Sequence, residues 1–223
     1  MQKNADIEAR PATYDSSVFE TSDLFQAQQI ILTASSSTAM EERWEKETPE
    51  VASWIAESLN LGPHSYVLDF GCGVGRVAKE LIGRYGCSVI GVDLSAEMRK
   101  LAVDYVNSDK FFVCSPEIFM KLLASGARVD HAYSIWVLQH IFEPNSDILK
   151  IKTAIRNQGK FFVLNSLYRW IPTTDSSWAQ DSIDVAALLK EQFVLEKEIP
   201  LINTAVEPRI ASESYCHIYK VNK

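Results

Sequence analysis

A chain of 223 residues is long enough for one domain with a substantial core and, at most, an appended segment, and 47% hydrophobic, 23% charged and 10% aromatic residues exclude a disordered, collagen-like or disulfide-knot protein. Its 22 Lys and Arg against 29 Asp and Glu leave a net charge of −7, which excludes a surface built to condense on a phosphate backbone, so no nucleic-acid partner is expected. Apolar runs such as 161–164 are far shorter than the roughly 20 residues of a membrane span, the opening MQKNADIEAR lacks the apolar centre of a signal peptide, and Cys72, Cys87, Cys114 and Cys216 show no C-x-x-C spacing. A soluble, cytoplasmic protein without a membrane partner, a metal site or a disulfide framework is the expectation; oligomeric state is not legible.

Residues 1–40 are polar, with a helical piece near 24–32 interrupted by the Ser/Thr cluster at 33–38, and are expected to form a lightly packed leader. From Met40 the apolar positions recur at helical spacing, but Thr48-Pro49 resembles an N-cap followed by a first-turn proline, which predicts two helices, the second over 49–60, stopped by Gly62-Pro63. Beyond that the period changes. Short apolar strands are expected at 66–70, 88–92, 111–114, 131–135 and 161–165, separated by helices at 76–84, after Ser95, from Pro116 behind a Ser115 cap, and over 146–156. Five strands alternating with helices imply a parallel sheet with right-handed crossovers. A helix at 183–190 and two strands at 193–199 and 215–221, joined without a helix, predict a closing antiparallel hairpin.

The first strand runs into Asp69-Phe70-Gly71-Cys72-Gly73-Val74-Gly75-Arg76, at the strand end where open α/β sheets bind ligands. Counted from Gly71, the G-x-G-x-x-G dinucleotide fingerprint fails at its last position, which is Arg76. Asp69 beside this loop repels a pyrophosphate and suits a ligand bearing an ammonium group. Asp93, directly after the second strand, can accept both hydroxyl protons of a ribose. Taken singly, Asp69 could cap loop N–H groups and Asp93 could cap the following helix. Together, an ammonium site and a ribose site across a glycine loop describe S-adenosylmethionine better than NAD or ATP.

Residues 67–75 resemble the first motif of the class I S-adenosylmethionine-dependent methyltransferases, and Val89-Ile90-Gly91-Val92-Asp93-Leu94-Ser95 resembles their second. The stretches 130–141 and 157–163 are similar to the fourth-strand motif of the small-molecule members and to the turn into their fifth strand. The resemblance implies an α/β, Rossmann-like three-layer sandwich, with a mostly parallel seven-strand sheet ending in a C-terminal antiparallel hairpin, over 63–223. It implies that Gly71, Cys72 and Gly73 line the methionine portion and that Asp69 holds its amino group. Asp93 would take the ribose, Leu94 and Met98 would pack on adenine, and Ile135 and Trp136 would lie beside the methionine end. Where members often place an Asp after the third strand, this chain has Cys114-Ser115-Pro116, leaving Ser115 as the candidate adenine contact.

The expected activity is methyl transfer from S-adenosylmethionine, leaving S-adenosylhomocysteine, to a small acceptor through oxygen or nitrogen. Gln139, His140, Asn165, Tyr168 and Arg169, after the fourth and fifth strands, are candidate acceptor contacts. His140, with an ordinary pKa near 6.5, is the first candidate base and Tyr168 the second, although His140 could equally be a satisfied histidine and the aromatic cluster packing. Residues 1–62 are expected to form a helical cap whose leader closes the site as a lid. Two rivals stand beside this reading: a non-catalytic module that binds S-adenosylmethionine as a sensor, and a nicotinamide-dependent oxidoreductase, disfavoured by Arg76 and Asp69.

Overall fold

The computed structural model describes residues 14–32, 39–175 and 177–222; the 33–38 cluster and the first part of the expected leader lie outside them. A 3₁₀ turn at Ser16–Phe19 and helices α1 (Leu24–Ile31) and α2 (Met40–Leu59) precede the alternating β1 (Tyr66–Phe70), α3 (Arg76–Tyr85), β2 (Ser88–Val92), α4 (Ala96–Val106), β3 (Phe111–Cys114), α5 (Pro116–Ala124) and β4 (His131–Ile135). A 3₁₀ turn at Leu138–His140 then leads to α6 (Pro144–Ala154), β5 (Lys160–Ser166), a ribbon of β6 (Ile171–Pro172) and β7 (Trp178–Ala179), α7 (Val185–Gln192), β8 (Val194–Ile199), α8 (Pro208–Ser212) and β9 (Ser214–Lys220).

Seven strands form one sheet in the order β3-β2-β1-β4-β5-β9-β8, the first five parallel and β9 antiparallel to both neighbours. The expected mostly parallel seven-strand sheet with a terminal hairpin is therefore present. Successive side chains of a strand point to opposite faces, and here both faces are covered. Phe161 and Val163 of β5 join Leu68, Ala132, Phe119, Ile148 and Leu189 under α5, α6 and α7. Phe162 and Leu164 join Val67, Tyr133, Val51, Ile55 and Leu81 under α2 and α3. Double burial is why these strands are continuous apolar runs rather than alternating ones.

Two expectations differ from the structure, and one element was not expected. The helix break at Thr48-Pro49 does not occur: α2 runs through Pro49. A proline inside a helix costs about 3 kcal/mol through the missing N–H and its ring clash. That cost is offset by packing, because Val51, Ala52, Ile55 and Leu59 after the proline enter the core, while Arg76 donates to the Thr48 hydroxyl at 2.9 Å before it. The hairpin strands are joined through the short helix α8, which Glu207 caps by accepting from the Ile210 N–H at 3.1 Å. The ribbon of β6 and β7 was not foreseen, since two-residue strands leave no periodic signal.

Candidate active site

The turns that follow the parallel strands open at one edge of the sheet, where a cavity of about 1000 Å³ crosses the strand ends. Asp69, Gly71, Cys72 and Gly73 line it from the turn after β1, Asp93 and Leu94 from the end of β2, Met98 from α4, and Ile135 and Trp136 from the end of β4. Nine residues singled out for the cofactor are thus gathered on one wall by the parallel topology.

The glycines act through neighbours of this chain as much as through a ligand. Gly71 has φ +80, and a Cβ there would stand 2.3 Å from Val137 Cγ2. A Cβ on Gly73 would stand 2.8 Å from Ile31 Cδ1 of α1. The loop can therefore bend sharply under α1 only because these positions lack side chains. The Gly71 and Cys72 N–H groups both donate to the Val92 carbonyl, at 2.7 and 3.1 Å, tying the loop to the end of β2.

Asp93 locks the same loop. Its Oδ2 accepts from the Gly73 N–H at 2.8 Å and its Oδ1 from the Ser95 N–H at 2.9 Å. A carboxylate has about four lone-pair sites, so these two bonds orient it and leave capacity for hydroxyl donors. Burial raises its pKa, against the Ser95 and Gly73 N–H groups, which lower it. Asp69 is 4% exposed, and burial carries its pKa up to about 7, with the Tyr133 hydroxyl beside it acting in the opposite direction. Tyr133 sits at Asp69 without the geometry of a full hydrogen bond. Burial, then the nearby Asp69 and Asp93, push the Cys72 thiol well up, which leaves it a poor nucleophile.

Two cations of the same cavity were not selected from the sequence. Arg43 of α2 and Arg76 at the start of α3 are each 3% exposed, and both line it. Arg43 pairs with the buried Glu47, Nε to Oε1 at 2.6 Å and Nη2 to Oε2 at 3.2 Å. Arg76 stands close enough to Asp69 for its charge to favour the ionised carboxylate. Burial lowers the Arg76 pKa to about 10, still cationic at neutral pH. The sequence signal was Arg76 itself, visible only as the position where a fingerprint failed.

Past β4 the cavity continues to Gln139, His140, Ser166, Trp170, Trp178 and Glu213. These are held by a closed set of hydrogen bonds. The Ser166 N–H donates to Gln139 Oε1 at 3.1 Å, which assigns the amide so that its nitrogen faces His140 Nε2 at 3.3 Å. His140 Nδ1 lies 2.6 Å from the Trp170 carbonyl, and the Trp170 N–H donates back to the Gln139 carbonyl at 2.9 Å. A carbonyl only accepts, so these partners assign the proton to Nδ1 and leave Nε2 accepting from Gln139. Burial lowers the His140 pKa, against the Trp170 carbonyl, which raises it. His140 is thus a neutral imidazole with both nitrogens engaged; acting as a base would require it to release Gln139.

Four selected residues do not line the cavity. Ser115 spends its hydroxyl capping α5, accepting from the Ile118 N–H at 3.4 Å, and the cavity wall there is Pro116 and Phe119. Asn165 is buried, its Oδ1 accepting from the Gln139 N–H at 3.2 Å and its amide donating to the Ser166 carbonyl at 3.0 Å, so it holds the cavity wall from behind. Tyr168 is 52% exposed and directed elsewhere. Arg169 is buried against Asp181, Nε to Oδ1 at 2.9 Å, and donates to the Phe142 carbonyl at 3.3 Å. The physical reason is shared: a polar side chain at a strand end first satisfies nearby backbone and buried charge, and sequence position alone does not say which way it turns.

The N-terminal segment covers the cavity. Tyr14, Phe19, Gln26, Ile30 and Ile31 line it, and α1 packs through Ala27 against Val74 and Met98. Tyr14 bridges to Thr173 of the ribbon, and Phe19, His140 and Trp178 form a ring cluster with centroids 5.4 to 6.3 Å apart. Among the described residues no group of three or more His, Cys, Asp or Glu could hold a metal ion, and no helix is long and apolar enough to cross a membrane.

A seven-strand sheet of this order, with a glycine loop after β1 and an acid after β2, is the arrangement of a class I S-adenosylmethionine-dependent methyltransferase. Residues 68–163 match the family described as a methyltransferase domain. It is 28% identical over 103 residues to a ubiquinone biosynthesis O-methyltransferase of Glaesserella parasuis serovar 5 (strain SH0165), a match covering 44% of this chain and 43% of that protein. The chain spans less than half the length of the curated relatives it matches. Among solved structures, the PH0226 protein from Pyrococcus horikoshii OT3 superposes with a TM-score of 0.61 at 21% identity, covering 87% of this chain and 96% of that one. Geranyl diphosphate C-methyltransferase from Streptomyces coelicolor A3(2), solved with S-adenosyl-L-homocysteine, gives a TM-score of 0.58 at 12% identity, covering 77% of this chain and 75% of that one. The acceptors of such proteins differ while the fold persists, so the acceptor has to be argued from the cavity.

Proposed function

We propose that this chain transfers a methyl group from S-adenosylmethionine to a small-molecule acceptor. The observation that carries the reading is that Asp69 and Asp93 line one cavity on either side of a glycine-rich loop, with Arg43 and Arg76 lining it as well. When bound, S-adenosylmethionine supplies a methyl carbon already activated by its sulfonium.

The chain's own residues bind and orient. Asp69, once ionised, receives the ammonium group, and the Arg43 and Arg76 guanidinium groups lining the same cavity receive the carboxylate of the same amino-acid end. Asp93, held by the Gly73 and Ser95 N–H groups, accepts from the ribose hydroxyls, while Leu94, Met98, Pro116 and Phe119 form an apolar slot for the base. Ile135 and Trp136 border the methionine end. The segment 14–32 acts as a lid that excludes water. Alignment and exclusion of water are the main contributions such a reaction requires.

Calorimetric titration with S-adenosylhomocysteine and with NADH, followed by labelled-methyl transfer into metabolite extracts, tests the reading. Binding of the first ligand and not the second, with label in a small product, is the expected result. Micromolar NADH binding would favour the oxidoreductase, and cofactor binding with no transferred label in any extract would favour the sensor.

A further inference from the structure

The part of the cavity beyond the cofactor wall has an unusual charge inventory. Arg169, placed for it by sequence position, does not line the cavity: it pairs with Asp181 and donates from Nη2 to the Phe142 carbonyl, while its buried Nη1 has no hydrogen-bond partner among the described residues. On the α6 side, Lys150 is tied to Asp147 at 2.6 Å, and Glu143 has no ion-pair partner among the described residues. On the β5–β9 side stands Glu213, also without an ion-pair partner among the described residues; its backbone carbonyl accepts from the Leu167 N–H at 2.8 Å and the Ser166 hydroxyl at 3.4 Å. The Glu213 backbone thus borders Ser166, and its exposed side chain lines the cavity. The same cavity is also lined by the aromatic side chains of Trp170 and Trp178 and by the neutral imidazole of His140, which packs on Trp178.

We propose, resting on the methyl-transfer reading, that the acceptor is an amine whose nitrogen is received between these ring faces and the Glu213 carboxylate. A hydroxyl acceptor must shed its proton as it attacks, and an alcohol, a far weaker acid than an ammonium ion, does not give it up to a carboxylate or water, while His140 Nε2 already accepts from Gln139 and Tyr168 lies outside the cavity. An acceptor bearing phosphate needs a cation, and the lining cation on the α6 side, Lys150, is paired with Asp147. A free amine needs neither. Its lone pair forms the N–CH₃ bond as the C–S bond breaks and leaves its electron pair on sulfur, so the positive charge passes from sulfur to nitrogen. Aromatic faces and a carboxylate stabilise the cation that results. If the amine arrives protonated, Glu213 or water takes that proton before attack.

The test uses the full chain with S-adenosylmethionine labelled in its methyl group and whole metabolite extracts, the labelled products being assigned by mass spectrometry and NMR. Label on nitrogen is expected; label on oxygen, carbon or sulfur overturns the proposal. Glu213→Gln should weaken binding of the assigned amine to the S-adenosylhomocysteine complex about tenfold by calorimetry, with cofactor affinity unchanged and Glu213→Asp recovering part of the loss. Unchanged amine affinity in Glu213→Gln overturns the role of Glu213. Absence of S-adenosylhomocysteine binding, or binding without any labelled product, instead overturns the methyl-transfer reading on which the proposal rests.

Discussion

Asp69 and Tyr133 stand opposite each other as register partners on the adjacent parallel strands β1 and β4, both closed off from solvent. The pairing leaves a carboxyl group whose burial outweighs the nearby hydroxyl, so that it titrates at about 7. In the ligand-free protein this site is poised between its neutral and its charged form.

Cofactor affinity should therefore depend on pH. Only ionised Asp69 attracts an ammonium group, so S-adenosylhomocysteine should bind about tenfold more weakly per pH unit as pH falls from 7 to 5. Asp69→Asn should bind more weakly at pH 7.5 and lose that slope, which calorimetry at three pH values checks. Stability should run the other way. The folded pKa lies above the unfolded value, so the folded state retains a proton that the unfolded chain gives up between about 3.8 and 7, and stability is lost as pH rises through that window. Asp69→Asn should consequently raise the Tm of the cofactor-free protein, more at pH 8 than at pH 5.

Gly71→Ala should destabilise the fold itself. The added Cβ meets Val137 at 2.3 Å and the backbone is held at φ +80. Overpacking of this kind costs about 1–3 kcal/mol, with the strained φ in addition. Val137→Ala in the same chain should recover part of the loss by relieving the contact, though none of the backbone strain. Thermal melts of the single and double variants read this directly.

The lid is tested through cofactor release. Ile31→Ala and Phe19→Ala remove the side chains by which the N-terminal segment touches the glycine loop and His140. Each should speed dissociation of S-adenosylhomocysteine about tenfold in stopped-flow measurements with little change in Tm, and deletion of residues 1–36 should do so at least as strongly. Unchanged dissociation would remove the lid from the proposal.

His140 should contribute a separate dependence on pH. Burial lowers its pKa, so the folded state resists protonation, and stability falls as pH drops through the ordinary histidine value near 6.5. His131 and His217 are lowered by burial as well, so the comparison is with His140→Gln, which should lose less Tm between pH 7.5 and 5.5 than the parent. Gln139→Ala, which removes the amide facing Nε2, should raise the KM of the acceptor and leave cofactor affinity unchanged.

Much of the architecture was legible before any coordinates. The strands at 66–70, 88–92, 111–114 and 131–135 fall where hydrophobic runs and glycines put them, and Ser95 and Ser115 cap α4 and α5 as their chemistry suggests. Such signals are local: a doubly buried strand must be apolar throughout, and a helix start needs an acceptor for its free N–H groups. The glycine loop and the acid after β2 were legible for a related reason, because both lie at strand ends and parallel strands place their ends together. Pro49 shows where local reasoning fails, since its cost to α2 is met by core contacts far away in sequence.

Residue type and spacing along single stretches of chain were enough for the sheet, its direction and the two acids that line the cavity. Only the tertiary structure decided that Arg43 and Arg76 face the cavity, that Arg169 turns to Asp181 and Tyr168 outward, and that Gln139 occupies the free nitrogen of His140. A polar side chain takes whichever hydrogen-bond or charge partner the fold brings within about 3 Å, and that partner is commonly dozens of residues distant.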